Sequence, residues 1–88
     1  MLKLEEIITK VKEGEDLLVS TSLYEENISY KNGEFVSWIE NGYDCITNKR
    51  TESYVNKCII EALNNPENHT LYVGDYDVLN DIDYSEGE

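Results

Sequence analysis

The side chains best suited to covalent or acid–base chemistry are scarce in this 88-residue chain. It has one histidine, His69, in an Asn-rich loop just after Pro66. A lone loop histidine is ordinarily a solvated polar residue and not a catalytic base. The two cysteines, Cys45 and Cys58, lack the paired CxxC spacing of a zinc site. Cys58 falls on an apolar helical stripe and Cys45 alternates with Ile46 on a strand, so both read as buried structural thiols. Asp75-Tyr76-Asp77-Val78-Leu79-Asn80-Asp81 opens like the D-x-D of a calcium loop, and Glu86 stands at the twelfth position. The glycine needed at the sixth is missing. There is no glycine-rich phosphate loop and no GxSxG. The expectation is a protein that is not an enzyme and takes neither metal nor cofactor.

Carboxylates, by contrast, abound. Nineteen Asp and Glu face seven Lys and Arg, for a formal net charge of -12. Nucleic-acid phosphate and anionic membrane surfaces both need a basic footprint, so neither is an expected direct partner. The acids are unevenly placed. Residues 58–88 carry eight acids and no Lys or Arg. Such asymmetry marks a solvated tail or an interaction face. Leu71, Tyr72, Val73, Tyr76, Val78, Leu79 and Ile82 are interleaved with these acids, which favours a folded face over a tail. Seven of the nine aromatic residues are Tyr, a type enriched at protein interfaces.

These residues must be positioned by a single small domain, expected over 1–84, with 85–88 a frayed acidic end. Leu4, Ile7, Ile8 and Val11 recur at i, i+3, i+4, i+7 and predict a helix at about 2–13, with Gly14 beyond its end. Asp16 to Tyr24 alternates as a strand does. Asn32-Gly33 and Asn41-Gly42 each suit a type I′ hairpin turn. Between and after them run Glu34–Glu40 and Tyr43–Thr47, while Ile28-Ser29-Tyr30 is short enough to be loop. Thr51 is a plausible N-cap for a helix whose stripe is Val55, Cys58, Ile59, Ala62 and Leu63, ended by Asn64-Asn65-Pro66. The remainder is ambiguous: Thr70–Val73 could be a strand, and Asp75, Val78, Leu79 and Ile82 could instead open and line a short third helix. The expected fold is α+β in two layers, in α-β-β-β-α order. A three- or four-stranded antiparallel sheet is covered by helices and followed by a small C-terminal element. No apolar run of 18 residues appears, and the N-terminus has no signal-like stretch, so a cytoplasmic protein with reduced thiols is expected.

Several stretches resemble a family of small acidic anti-CRISPR proteins from prophages, inhibitors of the type II-A RNA-guided DNA nuclease. Leu4-Glu5-Glu6-Ile7-Ile8-Thr9-Lys10-Val11-Lys12 is similar to that family's first helix. Glu40-Asn41-Gly42-Tyr43-Asp44-Cys45-Ile46 is similar to its second hairpin turn and third strand. Glu52-Ser53-Tyr54-Val55-Asn56-Lys57, continuing to Asn65, is similar to its second helix, and Tyr72 and Asn80-Asp81 stay in register beyond it. The resemblance implies a first helix, a three-stranded antiparallel sheet and two further helices. It also implies a DNA-mimicking inhibitor whose partner is the guide-loaded nuclease in the bacterial cytosol. By position, the DNA-motif site would be met by Tyr72, Asp75, Asp77, Glu67 and Asn68, and the nuclease's catalytic domain by Glu40, Asn41, Gly42 and Tyr43. Tyr76 stands beside Asp75 and Asp77 as a further candidate anchor. The chain departs from the family at Leu71, Val73 and Gly74, which replace acids, and in a longer stretch from Glu25 to Gly33. Two other readings use the same acidity: an immunity protein neutralising a basic nuclease toxin, and a phage adaptor without mimicry.

Overall fold

The computed structural model describes residues 2–40 and 45–84, with the side chains of Glu40, Cys45 and Ile46 excepted. Helix α1, Leu4–Lys12, buries Ile7, Ile8 and Val11. The Glu6 carboxylate accepts the backbone N–H of Lys3 at 2.8 Å, closing the first turn. Gly14, at φ +116°, carries the chain out of the helix.

Strand β1, Leu17–Ser20, is shorter than the alternation over 16–24 predicts. The cause is Thr21. Its N–H donates to the Tyr24 carbonyl at 2.8 Å, and its Oγ1 accepts the N–H of Leu23 at 3.1 Å. A hydroxyl that captures a backbone donor two residues on reverses the chain without Gly or Pro. The doubtful Ile28-Ser29-Tyr30 is therefore the middle of a full strand, β2, Glu25–Lys31. β3, Glu34–Glu40, and β4, Cys45–Arg50, follow. Asn32 and Gly33 between β2 and β3 sit at φ +53° and +80°, as the two-residue turn demands. The second Asn-Gly pair lies outside the described residues.

Helix α2, Glu52–Asn64, begins at the expected cap, where Thr51 Oγ1 accepts the N–H of Tyr54 at 3.1 Å. It buries Val55, Ile59 and Ala62. A 3-10 turn over Pro66–Asn68 leads into β5, Thr70–Val73. The third helix considered over 75–82 is not what forms, nor is the second further helix that the family resemblance implies. Instead β6, Tyr76–Asp77, and β7, Ile82–Asp83, fold back as short strands. Gly74 decides this. It holds φ +59°, a conformation glycine takes without strain, and its N–H donates to the Asp16 carbonyl at 2.8 Å. That left-handed turn pairs Tyr76 with Val73, and Val78 N–H then reaches the Leu71 carbonyl at 3.0 Å.

The sheet has seven strands in the order β4-β3-β2-β1-β5-β6-β7, all antiparallel and more than the three or four expected. The extra width comes from β5, which pairs with the free side of β1. The α+β two-layer architecture stands, but the expected α-β-β-β-α order does not: four strands separate α1 from α2, and three more follow α2. Leu17, Val19, Ile28, Phe35, Leu71 and Val73 face α1 and α2, and together with the buried helix residues they form one core.

Candidate partner-binding surface

The expected interaction residues occupy several places on this frame. Glu40 is the last residue of β3, and Asn41, Gly42 and Tyr43 lie outside the described residues. From β3 to β5 is three strand spacings, about 15 Å. Glu40 and the C-terminal set thus stand at separate places on the sheet.

The C-terminal set also divides. Glu67 and Asn68 are exposed on the 3-10 turn, at the end of the sheet where β1 finishes opposite Thr70. Asp75 is exposed at the other end, in the turn after Val73, which pairs with Leu17. Its carbonyl accepts the N–H of Tyr84 at 2.9 Å. It shares a cleft with Leu2, Lys10, Glu15, Tyr76 and Asp83. Tyr72 and Asp77 pair across β5 and β6 on the sheet face away from the helices. Tyr72 is half-buried, stacked on Tyr84 with ring centres 6.3 Å apart and planes 16° from parallel. Its phenol is held above the ordinary value, by desolvation first and then by the Asp77 carboxylate and Tyr84. Tyr76 points the other way and packs against the core.

Asp77 has a structural task. It is only 5% exposed. Its carboxylate accepts the Asn80 N–H at 3.2 Å and the Asn80 side-chain amide at 2.9 Å. This ties off the turn between β6 and β7. Beside it, His69 Nδ1 lies 2.9 Å from the Asn65 carbonyl. Among the described residues no group of three or more His, Cys, Asp or Glu is placed to hold a metal ion.

One polar cluster escaped the sequence reading. Glu26 is 2% exposed on β2, facing the helices. Its carboxylate accepts the Tyr54 hydroxyl at 2.8 and 3.1 Å and lies 3.4 Å from Arg50 Nε. Arg50 Nε also donates to Ser37 Oγ at 3.1 Å, and its guanidinium carbon sits 4.2 Å from the centre of the Tyr54 ring. Burial, and then the bond to Glu26, push the Tyr54 hydroxyl well above its usual range. Cys58, half-buried next to this group, is a free thiol raised chiefly by burial and then by Glu26. A raised thiol is a poor nucleophile, as a structural cysteine should be. The inward parity of Glu26 with Ile28 was the available signal, and it depends on recognising β2 as a strand.

No family model, no curated protein and no solved structure matches this chain. No helix among the described residues is long and apolar enough to cross a membrane.

Proposed function

We propose that this chain is a nucleic-acid-mimicking protein inhibitor. Its target is a type II CRISPR nuclease, whose DNA binding or cleavage it blocks by occupying the basic groove that reads the DNA motif. One observation carries the reading. The segment over 58–84, free of Lys and Arg, runs from the second half of α2 through the 3-10 turn into β5–β7, and Glu67, Asp75, Asp81 and Asp83 are exposed along it. Exposed carboxylates on a rigid scaffold present a field comparable to a row of phosphates, which steers association with a basic groove. The motif-reading site of such nucleases offers two arginines in that groove, and carboxylates pair with guanidinium groups bidentately. No catalytic step is asked of the chain.

The test is a cleavage assay with guide-loaded nuclease, adding the protein before or after target DNA. Competition predicts full protection when it is added first and little when DNA is already bound. Glu67→Gln with Asp75→Asn should weaken inhibition tenfold or more, about 1.4 kcal/mol. Glu5→Gln with Glu6→Gln on α1 removes the same charge and should change it less than about twofold. Equal inhibition in both orders of addition overturns the reading. Inhibition of an unrelated basic nuclease toxin, with none of the CRISPR enzyme, would favour the immunity reading instead.

A further inference from the structure

We propose that the sheet face turned away from the helices is a self-association surface, on which a second copy of this chain packs sheet against sheet. A single transverse row carries the argument. By register, Thr47, Trp38, Asn27, Leu18, Tyr72, Asp77 and Ile82 stand side by side across all seven strands. Val36 lies in the next row, opposite Lys49 and Ser29. Tyr84, 56% exposed, extends the surface beside Tyr72, and Ile82 is 43% exposed. Trp38, Val36 and Thr47 line a shallow depression with Ser29 and Lys31. Among the described residues no helix packs on this face.

Charge selects the occupant. The charged side chains described on the strands of this face are Glu25, Glu34 and Asp77 against Lys31 and Lys49, and Lys49 pairs with Glu34 at 3.5 Å. The face is near balance in a molecule of net charge -12. The acids lie elsewhere: Glu5, Glu6 and Glu13 on or beside α1, Glu61 on α2, and Glu67 and Asp75 in turns. The basic partner is met at Glu67 and Asp75, off this face. Two like copies repel everywhere except where the charge is balanced and apolar side chains meet. Area sets the strength. The face is roughly 29 Å wide, with strands up to about 23 Å long, and offers about 500 Å² per copy. The total, about 1,000 Å², is at the lower bound for a specific interface. The result is a weak two-fold sandwich with its sheets about 10 Å apart.

Like-charge repulsion gives this dimer an unusual signature, because salt should strengthen it. Sedimentation of the full chain should show a dissociation constant between about 1 μM and 1 mM. It should fall about tenfold as the Debye length shrinks from about 30 Å to about 3 Å between 0.01 and 1 M salt. Trp38, the chain's one tryptophan, should shift its emission to the blue as the dimer forms. Trp38→Lys should raise the constant at least tenfold. Should that variant fail to fold, Lys31→Glu, at an exposed position, stands in its place. It should weaken the dimer at least tenfold at low salt and recover at high salt. Lys57→Glu makes the same charge change on the outside of α2 and should shift it less than about twofold. Three results each overturn the proposal: a monomer at every concentration and salt, a dimer that salt dissociates, and equal weakening by Lys31→Glu and Lys57→Glu.

Discussion

The two sides of the sheet are held by different forces. From β1 to β4 the strands run four to seven residues. Their inward side chains meet both helices, and the buried Glu26 locks β2 to β4 and α2 through Arg50 and Tyr54. From β5 to β7 the strands shrink to four, two and two residues. Only Leu71, Val73 and Val78 bring fully buried apolar side chains. Tyr76 and Leu79 pack on the core only in part, and polar and ring contacts such as Asp77 on Asn80, Gly74 on Asp16 and Tyr72 on Tyr84 add to the hold. The lesson is about cost. Burying apolar area stabilises by roughly 25 cal/mol per Å², and a side dominated by carboxylates has little to bury. It must be fixed instead by turn hydrogen bonds, each contributing only about 1 kcal/mol.

Three substitutions probe this contrast. The largest effect should come from Ile59→Asp, which puts an unpaired charge into a site that is 0% exposed. A domain of this size has about 5–10 kcal/mol in total, and the change should remove most or all of it, unfolding both sides together. Retained far-ultraviolet dichroism with an unchanged melting curve would mean that α2 does not cover the core. Glu26→Gln comes next. It keeps the shape but leaves Arg50 beside an uncharged amide. Arg50 is partly exposed, its side chain at 26%, so the loss should be about 2–3 kcal/mol and not the 3–5 of a fully buried pair. Urea unfolding should show a lower midpoint with an unchanged slope. A loss below about 0.5 kcal/mol would make the cluster a bystander and remove the distinction between the two sides. The smallest is Asp77→Asn, expected at about 1 kcal/mol. Amide exchange should quicken at Val78 and Asn80 while Ile28 and Ser37 stay protected. Acceleration spread evenly over the sheet would show that both sides open as one unit.

What the sequence revealed follows the same division. The helix stripes, the Thr51 cap and the Asn32-Gly33 turn were legible because each is a local pattern with one physical reading. The reversal at Thr21–Tyr24 was not, since a threonine hydroxyl makes the turn where no Gly, Asn or Pro announces it. Missing it shortened β2 to a doubtful triplet and hid Glu26. Residues 75–82 carried a helical pattern, directly after the strand-like Thr70–Val73. The decision came from the left-handed turn at Gly74 and its bond to Asp16, a contact between distant parts of the chain that no local window contains. For the candidate surface, position in the chain identified the acids but not their grouping. Asp75 and Asp77 are two residues apart, yet they line different clefts, and Asp77 is engaged with Asn80.

The place of β1 has a consequence for biosynthesis. It precedes the other strands of this sheet in the chain, yet it stands in the middle, between β2 and β5. β2 follows it at once, but residues 21–69 must be added before β5 can dock on its other side. At about 5–20 residues per second, a nascent chain carries that bare backbone edge for roughly 3–10 s. Closing so long a loop also places β5 docking late in folding. Strands β5–β7 are therefore the last of this sheet to arrive. Until they do, a row of unpaired β1 amides and carbonyls is open to any extended segment nearby, including the same strand of a neighbour on the polysome.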